Sequence, residues 1–240
     1  MNVAIGSTLK ACADICRISN LPSVWTNVLC AVVLATGSFS WNAYLPPFIA
    51  LSCYYMAGMC LNDICDASHD AVYRTSRPIP SGKLSRPEAV ILTFFFVSAG
   101  TVPLMLTPFR QGVFAALVLL GCIVWYDCNH KQNPFSVLLM AFCRFLVFAV
   151  ASLSIAGKLP AMVILAGGIQ FAYVVCISVA ARYENNRPGG FSFPVVPLML
   201  AAIPLLDGVM LAIFRQPMML MAGIGGSMLM LAGQKLVRGD

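Results

Sequence analysis

Charge is scarce in this chain. Only 10% of its 240 residues are Asp, Glu, Lys or Arg, His occurs twice, and 60% are hydrophobic. A soluble domain carries roughly a quarter charged residues. A mean hydropathy of +0.85 therefore excludes a water-soluble globular protein and points to an integral membrane one, with the lipid bilayer as its partner and no nucleic acid. No stretch outside the apolar runs is long enough to bury a core of its own, so 1–240 is read as a single transmembrane domain. Cys-x-x-Cys spacing is absent despite ten cysteines. Scattered through apolar runs, they read as small buried hydrophobes, not as a zinc or disulfide framework. No cleavable signal peptide is expected: the first apolar run follows Lys10 and Arg17 and is long enough to span, so it reads as a signal-anchor helix.

What is present is a series of apolar runs near 19–39, 44–65, 88–106, 111–128, 134–155, 159–181, 191–213 and 216–236. Each reaches or approaches the roughly 20 residues that cross about 30 Å of hydrocarbon. The fold class is thus an all-α membrane bundle of about eight helices. The third and fourth runs, and the seventh and eighth, are separated only by "TPFRQ" and "RQP" and are expected to form helical hairpins. Threading eight spans puts eleven Lys and Arg on one side (Lys10, Arg17, Arg74, Arg77, Lys83, Arg86, Lys131, Arg182, Arg187, Lys235, Arg238) and three on the other (Arg110, Lys158, Arg215). The positive-inside rule then places both termini in the cytoplasm, in what reads as a bacterial cytoplasmic membrane. The polar segments "WYDCNHKQNP" (125–134) and "ARYENNRPGGFSFP" (181–194) fall on that same side.

The scarce charge gathers at residues 60–85. Asn62, Asp66 and Asp70 are spaced i, i+4, i+8 and lie on one face if the second helix persists, with Asp63 at its border. Like charges so spaced repel, and a hard divalent cation with oxygen ligands and retained water removes the penalty, which suits Mg²⁺. Arg74, Arg77, Lys83 and Arg86 follow, and arginine grips phosphate oxygens with a planar fork. Metal and cations beside a membrane helix suggest a diphosphate whose tail lies in lipid. Arg144 stands some ten residues inside an apolar span, where it needs a polar cavity or a carboxylate. Asp207 as a structural partner and a substrate contact are both open.

"NDICDASHD" at 62–70 resembles the N-D-x-x-D-x-x-x-D signature of the UbiA superfamily of intramembrane prenyltransferases, and "RTSRPIPSGKLS" at 74–85 the R-P-[IL]-x-x-G-x-[IL]-[ST] stretch that follows it there. "SNLPSVWTNVL" at 19–29 is similar to the family's opening segment. The resemblance implies a bundle, usually of nine helices, around a central, laterally open cavity. In it a prenyl diphosphate held through Mg²⁺ ionises and the allylic cation alkylates a small-molecule acceptor, aromatic or otherwise. It implies metal ligation by Asn62, Asp63, Asp66 and Asp70, with Asp70 alternatively orienting the cationic residues. It further implies substrate contacts from Asn27, Arg74, Arg77 and Lys83. Tyr126 and Lys131 resemble the family's Tyr…Lys pair, whose lysine reaches the diphosphate. With Asp66 and Asp70, Lys131 makes up the expected catalytic set.

The family's second acidic motif, D-x-x-x-D, is reduced here to Glu184 with Asn185 and Asn186. Glu184 is the expected ligand of a weak second metal, with Arg182 and Arg187 replacing part of its charge. A missing ninth helix either widens the lateral opening or leaves room for a partner subunit. Competing functions are a CDP-alcohol phosphotransferase, whose distal motif is absent, a phosphoribosyl transferase of the same superfamily acting on a lipid phosphate, and a small transporter.

Overall fold

The computed structural model describes residues 10–129, 136–185 and 193–236, without the side chain of Asn185. Helical stretch 10–15 and a 3₁₀ turn, Ile18–Asn20, lead into α1 (Leu21–Thr36), which has Pro22 in its first turn and stops at Gly37. Gly37 adopts φ 92°, a left-handed conformation that costs glycine little, and its N–H closes on the Val33 carbonyl at 2.9 Å. Helix α2 (Trp41–Tyr73) begins at Ser40, whose side chain accepts from the Ala43 N–H. Its 33 residues make it ~50 Å long at 1.5 Å per residue. That is about 20 Å more than hydrocarbon requires. The helix expected to end near residue 65 can therefore cross and still carry residues 62–73 past the apolar layer.

Helix α3 (Arg86–Met105) opens with a capping box in which Ser85 and Glu88 satisfy each other's backbone N–H. Helices α4 (Gln111–Asn129), α5 (Ser136–Ala156) and α6 (Ala161–Asn185) follow. The seventh run, expected as one span, is two pieces, α7 (Val195–Ala201) and α8 (Ile203–Phe214). Pro204 explains the break, since it has no N–H to give and its ring crowds the carbonyl four residues back. The chain turns through Ala202, whose N–H reaches the carbonyls of Leu198 and Met199 at 3.0 and 3.2 Å. Helix α9 (Leu220–Leu236) closes the bundle.

Among the described residues, seven of the expected eight spans are long and apolar enough to cross a membrane, with the 3₁₀ turn counted with α1, and α7 with α8. The eighth, α9, has only 17 residues. It runs antiparallel to α8, with Gly208 and Gly223 so close that a Cβ on Gly208 would lie 2.8 Å from the Gly223 Cα. Such small-residue contact lets backbones approach where water offers no hydrophobic drive. The other expected hairpin does not form a packed pair. Helix α3 lies along α2, where Gly100 faces the Ala50 carbonyl and the Tyr54 ring, and α4 lies along α5, where Gly112 meets Ser154. The glycines face α2 and α5, so the helices joined by the short turn diverge.

Helix α1 is the axis, buried along most of its length and flanked by α2, α5, α6, α8 and α9. Outside lie α3 and α4, which expose Ile91, Phe94, Phe95, Phe114, Leu117 and Val118, the surface a lipid-facing helix needs. The protein is a multi-pass integral membrane protein. All ten cysteines are free; Cys16, Cys30, Cys53 and Cys60 are buried as expected, whereas Cys128 and Cys176 are exposed.

Candidate active site

The polar end of α2 meets three other segments at one end of the bundle. At 3.6 residues per turn, Asp63 and Asp70 point only about 20° apart, and Asn62 and Asp66 about 40° apart. The expected single face is thus two neighbouring faces with different partners.

Asp63 and Asp70 are 4% and 3% exposed and turn toward the 74–85 loop. That loop is folded by its own backbone: the Pro78 carbonyl accepts from the N–H groups of Lys83 and Leu84, both at 3.1 Å, and from the Ser81 hydroxyl. Gly82 supplies a positive φ of 73°. Leu84 anchors the loop in a small core with Ile15, Cys16, Cys60 and Ala89. So held, Arg77 reaches back to Asp63 Oδ1 at 2.7 Å and Asp70 Oδ2 at 3.4 Å. Burial, then the like charge of Arg17, lower the Arg77 guanidinium below its ordinary value against the pull of the two aspartates, yet it stays a cation. Arg17 donates through Nη2 to both Asn62 Oδ1 and Asp63 Oδ1, at 3.2 Å each. Among the described residues, Arg17 alone of the non-glycines has positive φ, at 44°. That conformation costs roughly 1 kcal/mol and is offset here by two charge-assisted hydrogen bonds.

The expected roles divide accordingly. Asp63, expected as a metal ligand, is held by two guanidinium groups. Arg77, expected on the diphosphate, is turned inward onto Asp63 and Asp70. Asp70 is placed where it orients a cationic residue.

The second face looks to α4. Asn62 donates through Nδ2 to Asp127 Oδ1 at 3.1 Å, and Asp66 lies close enough to Asp127 and Tyr126 to interact electrostatically with both. Asp66 and Asp127 thus bring carboxylates from two helices together, while the Asn62 oxygen is turned to Arg17. Among the described residues no three His, Cys, Asp or Glu side chains converge as a metal-holding group. Two carboxylates still fit Mg²⁺, which takes few protein ligands and completes its shell with water and substrate phosphate.

Arg74 and Lys83 stand exposed around this end. Lys131 and Arg187, like Asn186, lie outside the described residues. Arg182 and Glu184, at the end of α6, make no hydrogen bond or ion pair to the α2 carboxylates. Asn27 and Arg144 are also elsewhere. The Asn27 amide is fully buried and used at both ends: Nδ2 donates to Asp207 Oδ2 at 2.7 Å, and Oδ1 accepts from Arg144 Nη1 at 2.9 Å. Asp207 also accepts from Thr26 at 2.7 Å and Gln170 at 2.8 Å, while Arg144 takes Ser23. The structural partner left open for Arg144 is thus Asp207, reached through Asn27.

Sequence reasoning missed the place of Arg17, which counted only as a positive-inside charge, and that of Asp127, which α4 brings to Asn62. The available signal for Arg17 was a lone arginine directly before an apolar span. An apolar cavity of about 270 Å³ lies between α1 and α9, lined by Trp25, Leu29, Tyr44 and Gly226 among others. It does not touch the carboxylates, so it is not the central cavity expected around them.

With this geometry in view, comparison with known proteins is specific. A model of the UbiA prenyltransferase family matches residues 23–234. The chain is 35% identical over 106 residues to the digeranylgeranylglyceryl phosphate synthase of Methanoregula boonei, covering 44% of this chain and 37% of that protein. It is 32% identical over 150 residues to the 4-hydroxybenzoate octaprenyltransferase of Vibrio parahaemolyticus, covering 61% and 52%. At most, then, the chain spans about half the length of these relatives. A solved UbiA homologue from Archaeoglobus fulgidus, bound to DMAPP and Mg²⁺, superposes with a TM-score of 0.60 at 14% identity, over 94% of this chain and 98% of that one, and shares the fold.

Proposed function

We propose, from the premise that the chain belongs to the UbiA prenyltransferase family, that it transfers a prenyl group from an isoprenyl diphosphate to a small-molecule acceptor within the membrane. The observation that carries this reading is the meeting of Asp66 and Asp127, from two helices, at the end of an apolar bundle, with Asn62 bonded to Asp127 and the exposed cations Arg74 and Lys83 at the border. A diphosphate is both highly charged and attached to an oily tail. Only a site at the edge of hydrocarbon receives both parts without stripping either of its preferred surroundings.

A bound Mg²⁺ would be held by Asp66 and Asp127, with Asn62 orienting Asp127 through its amide N–H, and would supply positive charge to the diphosphate as the C–O bond breaks. Arg74, Lys83 and Lys131 add cations for the same leaving group. Arg17 and Arg77 fix the carboxylate-bearing end of α2 by gripping Asp63 and Asp70, so the ligand oxygens are placed before substrate arrives. The apolar bundle excludes water from the allylic cation, whose carbon then bonds the acceptor as the acceptor loses a proton. The acceptor is an aromatic or other small molecule. The one-sided excess of Lys and Arg supports a cytoplasmic site.

Purified protein incubated with Mg²⁺ and labelled prenyl diphosphates of several lengths tests the reading. Diphosphate release is expected to require the metal and to vanish in Asp66→Ala. Release that persists in that variant, or no binding of any prenyl diphosphate, overturns it.

A further inference from the structure

We propose that Cys16 and Cys60 form an oxidisable pair whose disulfide staples the segment carrying Arg17 to α2. The inference goes beyond the proposed function, and its test needs no substrate. Cys16 follows the helical stretch 10–15, and Cys60 lies on α2, 44 residues along the chain. Their sulfurs are 3.9 Å apart. The two residues are 4% and 0% exposed, in the small core with Ile15, Leu84 and Ala89. A disulfide needs an S–S separation of ~2.05 Å, so the two side chains have to close only about 2 Å between them.

The neighbours give that bond its consequence. Arg17 comes directly after Cys16, in the left-handed conformation at φ 44°, and donates to Asn62 and Asp63, just beyond Cys60 on α2. A covalent link between 16 and 60 therefore pins the joint before α1 at the place where Arg17 reaches α2. In the thiol form the same place is held by packing and by hydrogen bonds alone. Both cysteines stand at the Lys- and Arg-rich end of the bundle, the cytoplasmic side by the positive-inside rule. Thiols rest reduced there, and disulfides that form are transient and redox-sensing.

Burial in an apolar core selects the oxidant, an uncharged low-molecular-weight disulfide. The Cys16 sulfur attacks one sulfur of that molecule, which leaves as a thiol and gives a mixed disulfide. The Cys60 sulfur then displaces the second thiol and closes the bond. Two protein thiols are oxidised, one small disulfide is reduced to two thiols, and these carry off both protons. A hydrogen bond from Cys60 lowers the Cys16 thiol below its ordinary value, against burial and the charge of Asp63, which favours Cys16 as the attacking sulfur.

The test treats the full chain in lipid nanodiscs with dipyridyl disulfide and reads the released pyridinethione by absorbance. Wild type is expected to acquire a Cys16–Cys60 link, mapped by tandem mass spectrometry, and to release at least one more thione per chain than Cys16→Ser. Its unfolding midpoint should then rise several degrees above that of equally treated Cys16→Ser and fall back with reductant. Cys12→Ser, one turn before Cys16, is expected to behave as wild type. Cys60→Ala provides a second variant with the same expected loss should Cys16→Ser not fold. A wild-type pair that stays reduced, a link made through Cys12 instead, or a linked protein with an unchanged midpoint overturns the inference and leaves the proposed function standing.

Discussion

Two polar clusters interrupt this apolar protein, and they are built on opposite principles. Around Asp207, a carboxylate and an arginine never touch. Asn27 stands between them, and Thr26, Gln170 and Ser23 supply further neutral partners. At the end of α2, Arg17 and Arg77 bind aspartates directly, exposed cations stand nearby, and the Asn62 amide donates to Asp127 on another helix. The first arrangement is closed and joins α1, α5, α6 and α8. The second is only half-buried at Asn62 and Asp66, with Arg74 and Lys83 exposed beside it, and is the proposed site of a charged ligand. Charge inside a membrane protein therefore marks function only where its partners leave something to bind; Arg144, conspicuous in the sequence, belongs to the closed kind.

The contrast can be broken experimentally, starting with its largest effect. Asp66→Ala is expected to lower the rate of diphosphate release by ~10²-fold or more, as loss of a transition-state charge stabiliser does, without moving the unfolding midpoint. A midpoint that falls with the activity would place Asp66 among the structural groups.

Asp207→Leu should do the reverse. Leaving Arg144 buried without its compensating charge costs about 3–5 kcal/mol, read by thermal unfolding in detergent. Adding Arg144→Met should restore most of that stability, and a double variant no more stable than the single one refutes the pairing through Asn27. Arg17→Gln is intermediate because Arg77 still holds Asp63. It should cost roughly 1.5–3 kcal/mol, the worth of a charged hydrogen bond, and raise the KM for prenyl diphosphate. If KM stays put, the arginine supports the loop and not the site. Ser85→Ala, outside both clusters, sets the baseline: about 1 kcal/mol for a lost helix cap, with unchanged kinetics.

Much of this was legible in the chain. Seven spans follow from runs of apolar residues because hydrocarbon demands about 20 of them per crossing. The gathering of acids at the end of α2 follows from their helical spacing beside a lipid-length run. Less legible was the break at Ala202, although Pro204 was there to read; a proline in an apolar span is often tolerated when neighbours take up the freed carbonyls. The α3–α4 turn suggested a hairpin because short turns usually join packed neighbours. Gly100 and Gly112 instead direct the two helices onto α2 and α5.

By itself the sequence determined that this protein lives in a membrane, that its polar chemistry lies at one end, and that Asn62, Asp63, Asp66 and Asp70 sit together. Each of these depends on residues within a few turns of one another. Only the tertiary structure decided which acids are spent on arginines, that Arg17 serves α2 across 46 residues, that Asp127 arrives from α4, and that Arg144 answers Asp207 through Asn27. The physical reason is the same in each case. Charge interactions act through space over a few ångströms, and helix packing, not the order of residues along the chain, sets which groups come within that distance.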